Sequence, residues 1–302
     1  MTKTKKKTAI RYSKSDTIYF TISGIILTIL LIIVLYPIIY VVSASFSSGD
    51  AVSSGKVILF PVDPTLDGYK AVFDNKDILS AYMNTILYTV VGTLVNISMA
   101  LITAYPLTRK DLKGRGVLTF FFVFTMYFSG GLIPFYILMS DIGLVNTRLA
   151  MVIPGALSVY NMIIVRSFIS SSIPSTLFEA TSIDGCNDTM YFFKMVLPLS
   201  KAVIAVVALF SAVTHWNSYF NAMLYLNDRN LVPLQIILRE ILVINQIDPS
   251  MISDPEQALQ MAKIASVLKY ALIVVATVPI LCVYPFVQKY FVKGVMIGSI
   301  KG

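Results

Sequence analysis

Apolar residues along this chain gather into six blocks, each about the ~20 residues a helix needs to cross a hydrocarbon core. The blocks cover residues 18–42, 81–106, 117–140, 149–169, 202–223 and 264–288. Pro37, Pro134, Pro154 and Pro279 fall inside them and are expected as kinks, which packed spans absorb. The pattern predicts an all-α, polytopic membrane protein with six spans and both termini on one side. Between the fourth and fifth blocks lies a polar island, residues 170–201, too polar to cross a membrane. Thr176 and Glu179, three apart, predict a capping box at a helix start, with Pro174 just before it or in its first turn. Gly185 suits a bend, and Leu197-Pro198 predicts a break before the next apolar run. The island therefore reads as two short helices joined at Gly185, lying at a membrane face.

Two other loops are long. Residues 43–80 carry Pro61, Pro64 and the acidic Asp63, Asp67, Asp74 and Asp77. Residues 224–263 contain an apolar patch, 231–244, interrupted by Pro233, Arg239 and Glu240. The patch predicts a surface helix that contacts a partner, covers a cavity, or simply rests in the membrane interface.

Composition agrees with the pattern. Of 302 residues 56% are hydrophobic and 13% charged, and mean hydropathy is +0.77, which excludes an ordinary soluble domain. Lys and Arg number 24 against 16 Asp and Glu. The excess flanks the apolar blocks, so it sets topology and implies no nucleic-acid partner. Lys3, Lys5, Lys6, Lys7, Arg11 and Lys14 open the chain, and Arg109, Lys110, Lys113 and Arg115 follow the second block. Arg166, Lys194 and Lys201 mark the polar island, and Lys289, Lys293 and Lys301 the tail. By the positive-inside rule all of these face the cytosol. Residues 1–17 are then a cytosolic basic N-terminus, 18–288 the membrane domain, and 289–302 a cytosolic tail. Ser43-Ala44-Ser45 has the small residues of a signal cleavage site, but the apolar run before it is long enough to span, so an uncleaved anchor is expected. No internal repeat stands out.

Candidate chemistry is sparse. His215 is the single histidine, and Cys186 and Cys282 fall in different environments, so neither a metal cluster nor a disulfide is expected. Gly49 and Gly55-Lys56 sit one residue too far apart for a phosphate loop, and Val57 stands where Ser or Thr would bind magnesium. The chain is expected to hold no cofactor and no nucleotide, and to be no enzyme itself. Ionisable residues are nearly absent from the blocks, which counts against a proton- or sodium-coupled carrier, although backbone carbonyls also bind sodium. A membrane sensor or enzyme subunit is a further alternative. The blocks carry neutral polar groups instead: Asn84, Asn96, Asn161, His215, Asn217 and Asn221. Each alone reads as interhelical glue. His215, Trp216, Asn217 and Asn221 form a denser group of ring faces and hydrogen-bonding side chains at the end of the fifth block. Asn217 and Asn221, four apart, are expected on one helical face. Sugars bind by stacking C–H faces on rings and hydrogen-bonding their hydroxyls, so these four are candidate pathway lining. An aromatic belt at the membrane interface is the competing reading.

The polar island also resembles a known family. Glu179-Ala180, Asp184-Gly185, Met195 and Leu197-Pro198 are similar, in residue and spacing, to the EAA loop of ABC importer permeases. Thr181 and Met195 depart from it, where Ala and Ile are usual. The stretch 128–134 (FSGGLIP), the stretch 143–148 (GLVNTR), Pro154 through Ser158 and the tail from Phe291 to Gly302 resemble the sugar-importer branch. Within it the SGGLIP and PGALS stretches are similar to permeases for oligosaccharides released from complex polysaccharides, uronate-containing ones included. The resemblance implies a type I ABC importer permease fold and an alternating-access mechanism. It implies as partners a second homologous permease, a homodimer of ATPase subunits that carry the ATP and magnesium, and an extracellular solute-binding protein. Thr176, Glu179, Ala180, Asp184, Gly185, Leu197 and Pro198 would then couple the chain to the ATPase.

Overall fold

The computed structural model describes residues 13–244 and 255–299. Lys3, Lys5, Lys6, Lys7, Arg11, Lys301 and Gly302 lie outside the described residues. Every regular element among the described residues is helical. It opens with α1 (Lys14–Ser45), α2 (Gly49–Ser53), α3 (Asp67–Asp74) and α4 (Lys76–Thr108). Then come α5 (Arg115–Tyr127), α6 (Leu132–Asp141), a 3-10 turn (Arg148–Met151), α7 (Val159–Ser172) and α8 (Ser175–Ile183). Next are α9 (Asp188–Tyr191), a π turn (Phe192–Val196), α10 (Leu197–Leu199), α11 (Lys201–Trp216) and α12 (Phe220–Tyr225). A 3-10 turn (Arg229–Leu231), α13 (Leu234–Arg239), a second π turn (Glu240–Ile244) and α14 (Pro255–Ser299) complete it. The chain divides into two compact units, residues 1–70 with 249–274 and residues 71–248 with 275–302.

In the first unit Ser13 starts α1 through a reciprocal capping box: its Oγ accepts from the Asp16 N–H and the Asp16 carboxylate accepts from the Ser13 N–H. From Ile18 to Val34 this helix is apolar on every side and almost wholly exposed, as a lipid-facing span must be. Only its last turn, Ser43 to Ser45, is buried. There the Ser45 hydroxyl lies 2.8 Å from the Tyr69 hydroxyl, and Tyr40 meets Tyr270 of α14 edge to face. Gly49 lies against Lys263 so closely that a Cβ would come within 2.7 Å of its carbonyl oxygen. Lys263 in turn pairs with Asp50 at 2.6 Å.

The second unit is built on α4, an unbroken helix of 33 residues packed against α7 and α11. Ala100 and Ala104 are fully buried, and such small side chains let helix backbones approach closely where lipid supplies no hydrophobic drive. Around them Leu101, Met162, Val165, Val203 and Val207 make the core. Arg166 of α7 donates through Nε to the Leu107 carbonyl (3.1 Å), satisfying an orphan acceptor at the end of α4 with a cation. Near the other end, Asn84 donates to the Asn230 and Val232 carbonyls, Tyr88 to the Leu231 carbonyl, and Thr85 accepts from the Leu234 N–H. These bonds strap the expected surface helix at 231–244 onto α4, with Leu234 and Ile237 buried.

Helix breaks fall where hydropathy gave no warning. Among the described residues three helices are long and apolar enough to cross a membrane singly: α1, α4 and the Lys263–Pro285 part of α14. Two further pairs qualify only together. Helices α5 and α6, expected as one span, meet at 109°. Their break lies at Phe128–Gly131, where Gly131 has φ +88°, and not at Pro134. Pro134 occupies the first turn of α6, where its missing N–H leaves no acceptor unpaired. The segment Asp188–Leu199 meets α11 at 77°. The block 149–169 is a single helix only from Val159 on, and Pro154 lies in the irregular stretch before it rather than at a kink.

Candidate functional site

The polar island folds as a helical elbow. Its first arm, α8, ends in a paired turn: the Gly185 N–H donates to the Ser182 carbonyl and the Cys186 N–H to the Thr181 carbonyl. That is a Schellman closure, and it requires a left-handed residue, here Gly185 at φ +79°. A Cβ on Gly185 would meet nothing within 4 Å, so the glycine answers to backbone conformation and not to lack of room. Asn187 then caps the second arm, its Oδ1 accepting from the Met190 N–H at 2.8 Å.

The expected capping box is not formed. The α8 N-cap is Pro174, which has no side-chain acceptor, and Thr176 sits inside the first turn. Glu179 and Ala180 are exposed on α8, Asp184 is its C-cap, and Ile183 projects with 88% of its surface exposed. Thr181, the residue that departs from the EAA pattern, is buried and donates to the Leu177 and Phe178 carbonyls. Leu197-Pro198 does not break the chain: helix geometry runs through both and bends at Ser200. A proline has no N–H for the carbonyl four residues back, and the turn before it is accordingly a π turn, with the Leu197 N–H donating to the Phe192 carbonyl.

Arg109, at the end of α4, reaches both arms of the elbow. Its guanidinium carbon lies 3.4 Å from the centre of the Phe178 ring on α8. Its Nη2 lies 3.6 Å from the Asp188 carboxylate on α9, and its Nε pairs with Asp111 at 3.2 Å. A backbone N–H and the Arg109 guanidinium hold the Asp111 carboxyl below the usual carboxylate range. Asp188 also accepts from the Tyr105 hydroxyl (3.2 Å), and Phe178 meets Tyr191 edge to face. In the sequence Arg109 carried a topology signal only.

At another level of α4, where α7 and α11 pack on it, lies a cavity of about 790 Å³. One wall is a closed hydrogen-bond triangle. Asn161 of α7 donates to the Asn96 Oδ1 (2.9 Å) and to the Ser211 hydroxyl (3.1 Å), and Ser211 of α11 donates to the Asn96 Oδ1 (2.8 Å). Asn96 of α4 spends its own amide on the Gly155 carbonyl at 2.9 Å. Gly155 belongs to the irregular stretch before α7, so a side chain supplies the bond that helix geometry would have given. Irregular backbone is tolerated at membrane depth where it lines a cavity. Tyr160 and Tyr284, both exposed, also line the space, and no Asp, Glu, Lys or Arg occurs among the described residues lining it.

The four residues singled out near the end of α11 divide. His215 and Asn221 line the cavity. Trp216 does not: it is buried, donates through Nε1 to the Ala276 carbonyl (3.0 Å) and meets Tyr82 edge to face. Asn217 is the C-cap of α11 and donates back to the Val213 carbonyl. The helix stops there and restarts at Phe220, so Asn217 and Asn221 do not share a helical face. Ser211, Tyr160 and Tyr284 were missed because each is one polar or aromatic residue in an apolar run. Among the described residues no group of three His, Cys, Asp or Glu is placed to hold a metal ion. Amides, hydroxyls and ring faces around the space suit a hydrogen-bonding ligand in transit.

The described residues thus form apolar helices around a polar cavity, with an exposed helical elbow beside it. The profile of the family described as "Binding-protein-dependent transport system inner membrane component" matches residues 78–297, and the chain belongs to that family. It is 44% identical to the Polygalacturonan/rhamnogalacturonan transport system permease protein YtcP of Bacillus subtilis (strain 168), over 93% of this chain and 97% of that one. To Protein LplC of the same organism it is 40% identical, over 89% and 90%. Among solved structures it is similar to one described as a bacterial ABC transporter involved in the import of the acidic polysaccharide alginate. That likeness has a TM-score of 0.87 and 36% identity, over 94% of this chain and all of that one. The resemblance to ABC importer permeases drawn from Glu179, Gly185 and Leu197-Pro198 is thereby confirmed.

Proposed function

We propose that this chain is one of two membrane subunits of an ATP-driven importer of oligosaccharides cut from acidic polysaccharides. One observation carries the reading: α4, α7 and α11 bear an uncharged, ring-lined cavity at one level and are joined by the exposed α8–α9 elbow at another. The names of its relatives support a uronate-containing cargo. The elbow, with Glu179, Ala180 and Ile183 exposed, docks an ATPase subunit, and Thr176, Asp184, Gly185, Leu197 and Pro198 shape it. Two ATPase subunits, a second permease and an external binding protein complete the complex. Both termini and the elbow face the cytosol, following the placement of Lys and Arg. The chain binds no cofactor, and ATP and magnesium belong to the ATPase subunits. ATP shifts the complex outward only if the closed ATPase pair binds the outward-facing arrangement more tightly, and α8 carries that differential contact. In the cavity His215, Asn221 and the Tyr160 and Tyr284 rings meet sugar in passage, while Trp216 holds the helices around it and Asn217 closes the end of α11.

The test is reconstitution of the four-component complex in proteoliposomes with an oligogalacturonate outside. Uptake that needs both ATP and the binding protein, and persists with ion gradients collapsed, supports the reading. Uptake driven by an ion gradient through the purified chain alone would replace it with secondary transport.

A further inference from the structure

We infer that Arg109 is a positioning residue that clamps both arms of the elbow to the end of α4, so that elbow and α4 move as one body. The inference rests on the elbow being the ATPase-docking element. A single planar group makes both contacts: its face covers Phe178 of α8 at 3.4 Å and its edge lies 3.6 Å from Asp188 of α9. These two residues stand on opposite sides of Gly185, whose left-handed backbone makes the turn between the arms. Asp111 steadies the guanidinium from the loop beyond α4, and Tyr105, one turn back along α4, donates to the same Asp188 carboxylate. The backbone beneath is fixed as well, since the Arg109 carbonyl accepts from Arg115 and the Leu107 carbonyl from Arg166. The α4 so gripped is the helix that carries Asn96 to the cavity wall.

Arginine suits the task because its flat guanidinium stacks on a ring and pairs at its edge at the same time, which an ammonium cannot do. Without the clamp, a push on α8 would swing the elbow about Gly185 instead of moving α4. ATP would still be hydrolysed, but less of it would move sugar.

The purified four-component complex tests this through the ATP hydrolysed per oligogalacturonate imported. Arg109→Met, which keeps length and loses charge and plane, is expected to raise that ratio about tenfold, in the range typical of coupling between sites. Arg109→Lys is expected to fall between Met and the native chain. A purely structural arginine would lower the yield of complex and leave the ratio native, and that result overturns the inference. If Arg109→Met does not assemble, Phe178→Leu and Asp188→Asn each remove one contact, and a native ratio in both overturns it equally. Gly185→Leu separates the two levels. A native ratio there sinks the docking role of the elbow, whereas a raised ratio there beside a native one in Arg109→Met sinks only the clamp.

Discussion

Gly92 of α4 and His215 of α11 are packed so closely that a Cβ on Gly92 would lie 2.5 Å from the imidazole ring. No real pair of atoms of that kind sits so near, so the glycine is what lets the two helices meet at the cavity's edge. His215 also lies 3.5 Å from where a Cβ of Gly155 would be, which confines the ring from a second side.

Gly92→Ala is therefore expected to destabilise the subunit by about 1–3 kcal/mol, the usual cost of overpacking. Thermal unfolding of the purified complex measures it. The double variant Gly92→Ala with His215→Ala should recover much of the loss, because the small side chain removes the obstacle. A double variant as unstable as the sum of the two single ones would show that helix propensity, not the ring, sets the cost.

The asparagines around the cavity should separate into two kinds. Asn161→Ala breaks the triangle with Asn96 and Ser211 and should cost about 1 kcal/mol of stability, with lower folded yield. Asn221→Ala touches no such network and should lower uptake per folded complex several-fold at native yield. Asn217→Ala should do neither beyond a few tenths of a kcal/mol, since its bond is to its own helix. Uptake normalised to assembled complex is the deciding measurement, and a native value for Asn221→Ala removes that residue from the pathway.

At the elbow, Gly185→Leu places a branched side chain at φ +79°, costing about 1–2 kcal/mol locally. Because open space surrounds the position, the subunit should still insert and accumulate while transport is lost. Gly185→Asn, which tolerates the left-handed region, should retain most transport. Equal loss in both variants would point to a direct contact at this position instead of a turn.

Single cysteines at Lys113 and Asn187 should be shielded from an impermeant thiol reagent in intact cells, and one at Asp67 should react. Labelling of the Asn187 site from outside would place the elbow in the wrong solvent and dismiss the proposed docking.

How much of this was legible beforehand differed by region. Gly185 announced its turn because few residues other than glycine adopt a left-handed backbone, so the requirement is written in one residue. Six apolar blocks announced helices for the same local reason. The break at Phe128–Gly131, the late start of α7 at Val159 and the stop at Asn217 were not announced, because they depend on partners far along the chain: the Gly155 carbonyl is freed only where the Asn96 amide waits to receive it. Thr176 misled through a true local rule, since the capping box needs the threonine at the N-cap and the helix begins one residue earlier. Trp216 misled in the opposite way. An indole beside amides suggests a sugar platform, yet burial and the Ala276 carbonyl had already claimed it.

Two routes lead from the elbow toward the cavity, and they differ as structural members. One runs through α9, the π turn and the bend at Ser200 into α11. A π turn holds its carbonyls in a wider, looser ring than an α turn, and a 77° bend converts any push into rotation. The other is α4, one continuous helix of 33 residues that runs from the Arg109 end to Asn96 and on to the strap at Asn84. Two such members fixed at both ends make a linkage in the engineer's sense. Under the proposed docking, the continuous member would set how far the wall moves, and the jointed one would let it move without tearing the chain.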